Sequence, residues 1–281
     1  MIRGKIADFT SLKRLLLSKC PKLRGDIPHE LPSLTELELR GCPLLVESRH
    51  SYYNSNIITI CPFLDVFNRM MIPLNSLQRL SIEGFPSLTS FPIDGLPKSL
   101  KFLIISNCEN LEFLPHEYLH NYTSLEELKI SYSCNSMISF TLGILPSLKS
   151  LFIEGCKNLK SIATEGASRK SLSFLRSIKI WDCNELESFP AGGLATPNLV
   201  YIAVWKCDKL RSLPEAMNTL TDFREMEIDN LPNLHCFVIN DLPFGLQELT
   251  IGSVVGLYGI LNQHGNISHV FQCCELMVMI R

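Results

Sequence analysis

The chain has 281 residues, with 26 Lys and Arg against 28 Asp and Glu, and 46% of it is hydrophobic. That near-balance, without a run of Lys or Arg, gives no footing for a nucleic-acid or membrane-surface partner. No apolar run reaches the ~18 residues of a membrane span, and the opening Met1-Ile2-Arg3-Gly4-Lys5 lacks the apolar stretch of a signal peptide.

One short phrase recurs from end to end. In chain order its copies begin at Leu12, Leu34, Ser55, Leu77, Leu100, Leu125, Leu148, Leu175, Leu199, Phe223 and Leu246, spaced by 21 to 27 residues. It is clearest as Leu148-x-x-Leu151-x-Ile153-x-x-Cys156-x-x-Leu159 and again as Leu199, Ile202, Val204, Cys207, Leu210. The copy at Ser55 rests on Ile58, Ile60, Phe63 and Val66, and the polar stretch Glu47–Asn56 before it reads as a loop or hinge. This spacing is the period of a leucine-rich repeat, a solenoid that lengthens by adding units instead of enlarging one core. The predicted fold is therefore an α/β leucine-rich-repeat horseshoe. A parallel β-sheet lines its concave face, and its convex side is mostly irregular and Pro-containing, with few short helical turns. Residues 1–281 are expected to form a single domain of about eleven repeats over 12–260, a piece of a longer protein, with 261–281 as an atypical tail.

Within each unit the x-Leu-x-Leu-x stretch alternates with period two, so it reads as a short strand with its apolar pair inward. Prolines mark the return path at Phe91-Pro92, Leu114-Pro115, Phe189-Pro190 and Leu213-Pro214, and they exclude long helices there. The best candidates for a helical turn are Glu117–Tyr122 and Glu215–Leu220. Six of the 11 cysteines (Cys20, Cys42, Cys108, Cys156, Cys183 and Cys207) stand eight residues after the first apolar residue of their repeats. They form a structural ladder of small buried thiols, not a disulfide framework, which fits a reducing, cytoplasmic setting. The sequons at Asn121 and Asn266 occur at the frequency chance supplies.

The outward strand positions are free of core duty, so they are where a partner would be read. Both tryptophans of the chain, Trp181 and Trp205, fall in one outward column on adjacent repeats. Phe152, Tyr201 and Tyr132 lie nearby, and Lys179 and Lys206 rim the group. Aromatics beside cations are what binding hot spots use, so these seven residues are the candidate partner-binding site, or else a docking face for an adjoining domain.

Catalytic patterns are weak. His116-Glu117-Tyr118-Leu119-His120 matches the His-Glu-x-x-His zinc-peptidase letters, but it lies on a return path beside Pro115 with about one turn of helix available. Exposed loop histidines are the better reading, and no metal is assigned. Cys273-Cys274 is adjacent instead of metal-spaced. There is no Gly-x-x-x-x-Gly-Lys-Ser/Thr phosphate loop and no Gly-x-Ser-x-Gly elbow. No cofactor and no enzymatic activity are expected.

The phrases Cys20-Pro21-Lys22-Leu23-Arg24-Gly25-Asp26-Ile27-Pro28, Leu31-Pro32-Ser33-Leu34 and Glu154-Gly155-Cys156-Lys157-Asn158-Leu159-Lys160-Ser161 carry a resemblance over roughly Phe9 to Ile251. They resemble the C-terminal repeats of plant coiled-coil nucleotide-binding leucine-rich-repeat (NLR) disease-resistance proteins. The resemblance implies a recognition module of an intracellular immune receptor, sensing pathogen effectors and restraining receptor activation. Its implied partners are an effector, a guarded host protein, or the receptor's own nucleotide-binding domain. The competing reading is a substrate-recognition subunit of a ubiquitin ligase; the return-path prolines argue against the longer, helical units of that class.

Overall fold

The computed structural model describes residues 9–23, 31–45, 74–91, 96–113, 119, 121–142, 145–164, 172–234, 242–254 and 276–279. In chain order the strands are β1 (Arg14–Ser18), β2 (Glu36–Arg40), β3 (Arg79–Glu83), β4 (Phe102–Ser106), β5 (Glu127–Ser131), β6 (Ser139–Leu142), β7 (Ser150–Glu154), β8 (Ser161–Thr164), β9 (Ser177–Trp181), β10 (Tyr201–Trp205), β11 (Glu225–Asp229), β12 (Glu248–Ile251) and β13 (Leu276–Met279). Ten of the strands begin two residues after the first apolar position of a copy; β6, β8 and β13 do not. Eleven of the strands form one sheet in the order β1-β2-β3-β4-β5-β7-β9-β10-β11-β12-β13. Every pairing from β1 to β12 is parallel and in register, so equivalent repeat positions become columns.

The inward columns are the predicted ones. Leu128, Leu151, Ile178 and Ile202 stack at the fourth repeat position, all with 0% exposure. Ile130, Ile153, Ile180 and Val204 do the same two residues on. No repeat can bury these side chains without its neighbours, so the stack itself is the core. The first rung shows the converse: Leu12, Leu15 and Leu17 are only partly buried.

A left-handed residue turns the chain out of nine of the ten parallel strands. Lys19, Gly41, Gly84, Asn107, Tyr132, Gly155, Asp182, Lys206 and Asn230 all have φ between 49° and 75°. From Lys19 to Lys206 each donates its amide to the carbonyl at the end of the next strand, at 2.7–3.0 Å. The ladder thiol of the receiving rung often meets the same carbonyl. Arg40 O accepts from Lys19 N and from Cys42 Sγ, and Trp205 O accepts from Asp182 N and from Cys207 Sγ. Cys42, Cys108, Cys156, Cys183 and Cys207 are buried free thiols, and Cys20 is half-buried at the outermost rung. Burial pushes Cys108 up to about 11.

The copy at Ser55 and the loop before it lie outside the described residues; among the described strands β2 pairs directly with β3. One sequence expectation changes. The ladder also contains a cysteine that the fixed spacing misses. The repeat at Leu125 carries one extra residue, Ser133, whose hydroxyl bonds Ser131 O at 2.8 Å. Buried Cys134 takes over the turn, accepting from Met137 N.

On the return side, β6 and β8 form a separate two-stranded parallel sheet, and Met217–Thr219 is a 3-10 turn within the predicted Glu215–Leu220. Leu119 of the other candidate turn is helical and buried, whereas residues 116–118 and 120, including both histidines, lie outside the described residues. So do Asn266 and Cys273-Cys274. At the far end β13, from the tail, closes on β12 as an antiparallel strand.

Candidate functional site: the concave face

Each five-residue strand shows three outward positions, and across ten rungs these make a grid. Its cells are ~4.8 Å apart between strands and ~6.6 Å apart along them. The grid divides into three zones of different chemistry.

At the amino-terminal end, charges neutralise one another. Arg14 meets Glu36 at 3.2 Å and Glu38 at 3.6 Å, and Arg40 pairs with Glu38 and with Glu83. Such surface pairs contribute little stability singly, but each of these three glutamates meets an arginine.

The middle is aromatic. Trp181 and Trp205, opposite each other on paired strands, stack with centroids 4.7 Å apart and planes 5° from parallel. Phe152 meets the outer face of Trp181 edge-on, at 4.8 Å and 83°. Lys129 lies over Phe152 at 4.6 Å, Lys179 over Tyr201 at 4.8 Å, and Arg79 over Phe102 at 4.0 Å. The rings are half-buried. Beside them Ala203 is an outward residue with 0% exposure, sunk beneath larger neighbours. The indole nitrogen of Trp181 is buried and has no hydrogen-bond partner. An indole N–H normally finds one when buried; among the described residues this one has none.

The carboxyl-terminal end is acidic. Glu225 and Glu248 are opposite each other, and Glu227 is the next outward residue on β11. Among the described residues none of the three has an ion-pair partner. Burial and the nearby charges of Glu248 and Glu227 raise the Glu225 pKa above the usual carboxylate range, with Lys179 partly opposing. Burial, then contact with Glu227, raises Tyr201. Asp229 is committed elsewhere, since its Oδ1 accepts from Ser253 N at 2.8 Å.

The structure brings five of the seven candidate residues together on the sheet: Phe152, Lys179, Trp181, Tyr201 and Trp205. Lys179 is not at the rim but inside the group. Tyr132 and Lys206 stand just past their strands, at left-handed positions, and are exposed. Tyr132 still reaches the cluster: its ring covers Gly155, and its hydroxyl lies 3.3 Å from Glu154 and 3.5 Å from Asp182. Phe102, Lys129 and the three glutamates are additions to the candidate set. Phe102, Glu225 and Glu248 occupy the first outward column, which the Trp-centred reading of the later two columns passed over.

A parallel in-register sheet of short strands, repeated every two dozen or so residues around stacked apolar columns, defines a leucine-rich-repeat solenoid. Its relatives are plant disease-resistance proteins of the NLR type. The chain is 34% identical over 147 residues to a disease resistance protein of Arabidopsis thaliana, covering 52% of this chain and 10% of that protein. It is 34% identical over 116 residues to the RPP13-like protein 1 of the same plant, covering 38% of this chain and 11% of the relative. It is 27% identical over 259 residues to disease resistance protein RPP5, covering 86% and 17%. The chain thus spans about a tenth of the length of the first two. No protein-family model matches it. Among solved structures, a leucine-rich-repeat protein of Leptospira interrogans aligns over 87% of this chain and 79% of its own, at 15% identity and a TM-score of 0.30.

Proposed function

We propose that the chain is the protein-recognition segment of a cytoplasmic plant immune receptor, and that its concave aromatic cluster is the contact surface. The single observation that carries this reading is the stacked Trp181–Trp205 pair. Two indoles stand on an open sheet face, stacked and half-buried. A partner that covered them would remove apolar area from water. Fully packed aromatic anchors of this kind contribute about 2 kcal/mol or more to an interface. The disease-resistance relatives support the immune context. Effector sensing, and restraint of the receptor through contact with its nucleotide-binding domain, are the roles such a surface would serve. The segment acts by binding, not by catalysis. Among the described residues no cluster of ligands could hold a metal, and no helix is long and apolar enough to cross a membrane.

The test is the paired change Trp181→Ala with Trp205→Ala. The rings lie outside the stacked core columns, so the circular-dichroism spectrum should persist. Association with an effector, a host target or the receptor's nucleotide-binding domain should weaken about thirtyfold, the equivalent of ~2 kcal/mol. A folded double variant that keeps every partner at full affinity would remove the concave face from the mechanism.

A further inference from the structure

The two ends of the concave face treat carboxylates in opposite ways. At the amino-terminal end Glu36, Glu38 and Glu83 each meet an arginine. Over β11 and β12 the outward positions hold Glu225, Glu227 and Glu248, next to the aromatic group and without an ion-pair partner among the described residues. The nearby cations are engaged by other groups, and Lys179 only partly offsets the charge at Glu225. Arg224 donates to the carbonyls of Thr221 and Phe223, Arg176 to Asn198 O and Asp222, and Lys179 sits on the Tyr201 ring. Like charges held this close repel, so the free protein carries an electrostatic cost that a cation from outside would relieve. The stacked indoles one strand away offer a flat π surface, which favours a guanidinium or an apolar neighbour.

Building on the concave-face reading above, we propose that this part of the grid seats an extended, basic segment of a partner protein. An Arg or Lys of the segment is held by Glu225, Glu227 and Glu248, and an adjacent side chain lies against Trp181 and Trp205. Charge complementarity fixes the sign of the partner. From Glu227 to Trp205 is one strand across and one outward position along, about 8 Å on the grid, a step that two long side chains on one face of an extended chain can span.

Both tryptophans of the chain are in this cluster, so intrinsic emission reports occupancy. The experiment titrates the whole chain with a short peptide of alternating Arg and Leu, and with its counterpart carrying Glu in place of Arg. The expected result is an emission change with the basic peptide alone, weakened by added salt. The triple change Glu225→Gln, Glu227→Gln and Glu248→Gln should weaken binding about tenfold, as a few partly screened ion pairs would. Glutamine keeps shape and removes repulsion, and circular dichroism checks the fold. The salt titration of the unaltered protein tests the same point without any variant. No emission change with the basic peptide, equal response to the acidic one, or an unaltered affinity in the triple variant would each overturn the proposal. A natural partner lost by the tryptophan double variant but kept by the glutamine variant would refute the basic segment while leaving the concave-face reading intact.

Discussion

Replacing Gly155 by Ala tests how the flank of the cluster is built. The left-handed column tolerates side chains in general, since Lys19, Asn107, Asp182 and Asn230 all sit in it. Gly155 differs because a Cβ there would overlap the ring of Tyr132 from the preceding rung. At Gly84 the nearest atom to an added Cβ is 3.6 Å away, and at Gly41 it is 4.0 Å. Forcing Ala into the left-handed region costs about 1 kcal/mol at any of the three sites. At Gly155 the Tyr132 ring must also swing off, losing its contact and its reach toward Glu154 and Asp182, for about 1 kcal/mol more. Gly155→Ala should therefore cost about 2 kcal/mol, and Gly84→Ala about half of that. In a protein of this size that is about 2–4 °C of Tm per kcal/mol. The assay is a double-mutant cycle by thermal melt: in a Tyr132→Ala background, Gly155→Ala should fall back to the cost seen at Gly84. If the two glycines cost the same in the parent, or if removing the ring rescues nothing, the ring is not what demands glycine.

Leu151→Asp would place a carboxylate where exposure is 0%, between Leu128 and Ile178 on the paired strands, a large destabilisation by burial of unpaired charge; hydrogen exchange should rise in β5 and β9 as well as β7, and a rise confined to β7 would contradict the shared core. A thiol reagent at neutral pH should label Cys108, Cys134, Cys156 and Cys207 only after denaturant is added, and rapid native labelling would displace them from the core. Alkali should act on the same groups: with Cys108 at about 11 and Cys134 at about 12 when folded, against 9.0 unfolded, both states are protonated below pH 9 and stability is complete there. From pH 9 to about 11 the unfolded chain alone loses these protons, so stability should fall by up to ~1.4 kcal/mol per pH unit per thiol; a Tm flat to pH 11 would refute the burial. Glu225→Gln should leave or raise Tm at pH 7, since a raised folded pKa means the carboxylate is destabilising above it, and a clear loss of Tm would show that Glu225 has a stabilising partner.

Most of the fold was legible because burial in this architecture is written as columns. Leu151 and Ile153 alternate within a rung and repeat between rungs, so strand, inward face and register follow together. The Trp181–Trp205 stack was legible for the same reason: one column on neighbouring repeats leaves two rings a strand spacing apart. The left-handed column was not legible, because Lys, Asn, Tyr, Asp and Gly all fill it and no residue type announces it. Cys134 escaped because one inserted residue, Ser133, shifts the ladder. The glutamate group escaped because its members are ordinary solvent-facing residues singly and become a site only when parallel pairing sets Glu225 beside Glu248.

The double anchoring of the carbonyls under the indoles has a further consequence. Trp181 O and Trp205 O are each held by an amide from the rung before, Gly155 N and Asp182 N, and each is also met by a thiol of its own rung, Cys183 or Cys207. The display positions are thus fastened from behind by main chain and sulfur, while their side chains take no part in the fastening. The letters shown to a partner at positions such as Trp181 and Trp205 can therefore be rewritten without touching the main-chain and thiol contacts that keep the array in line.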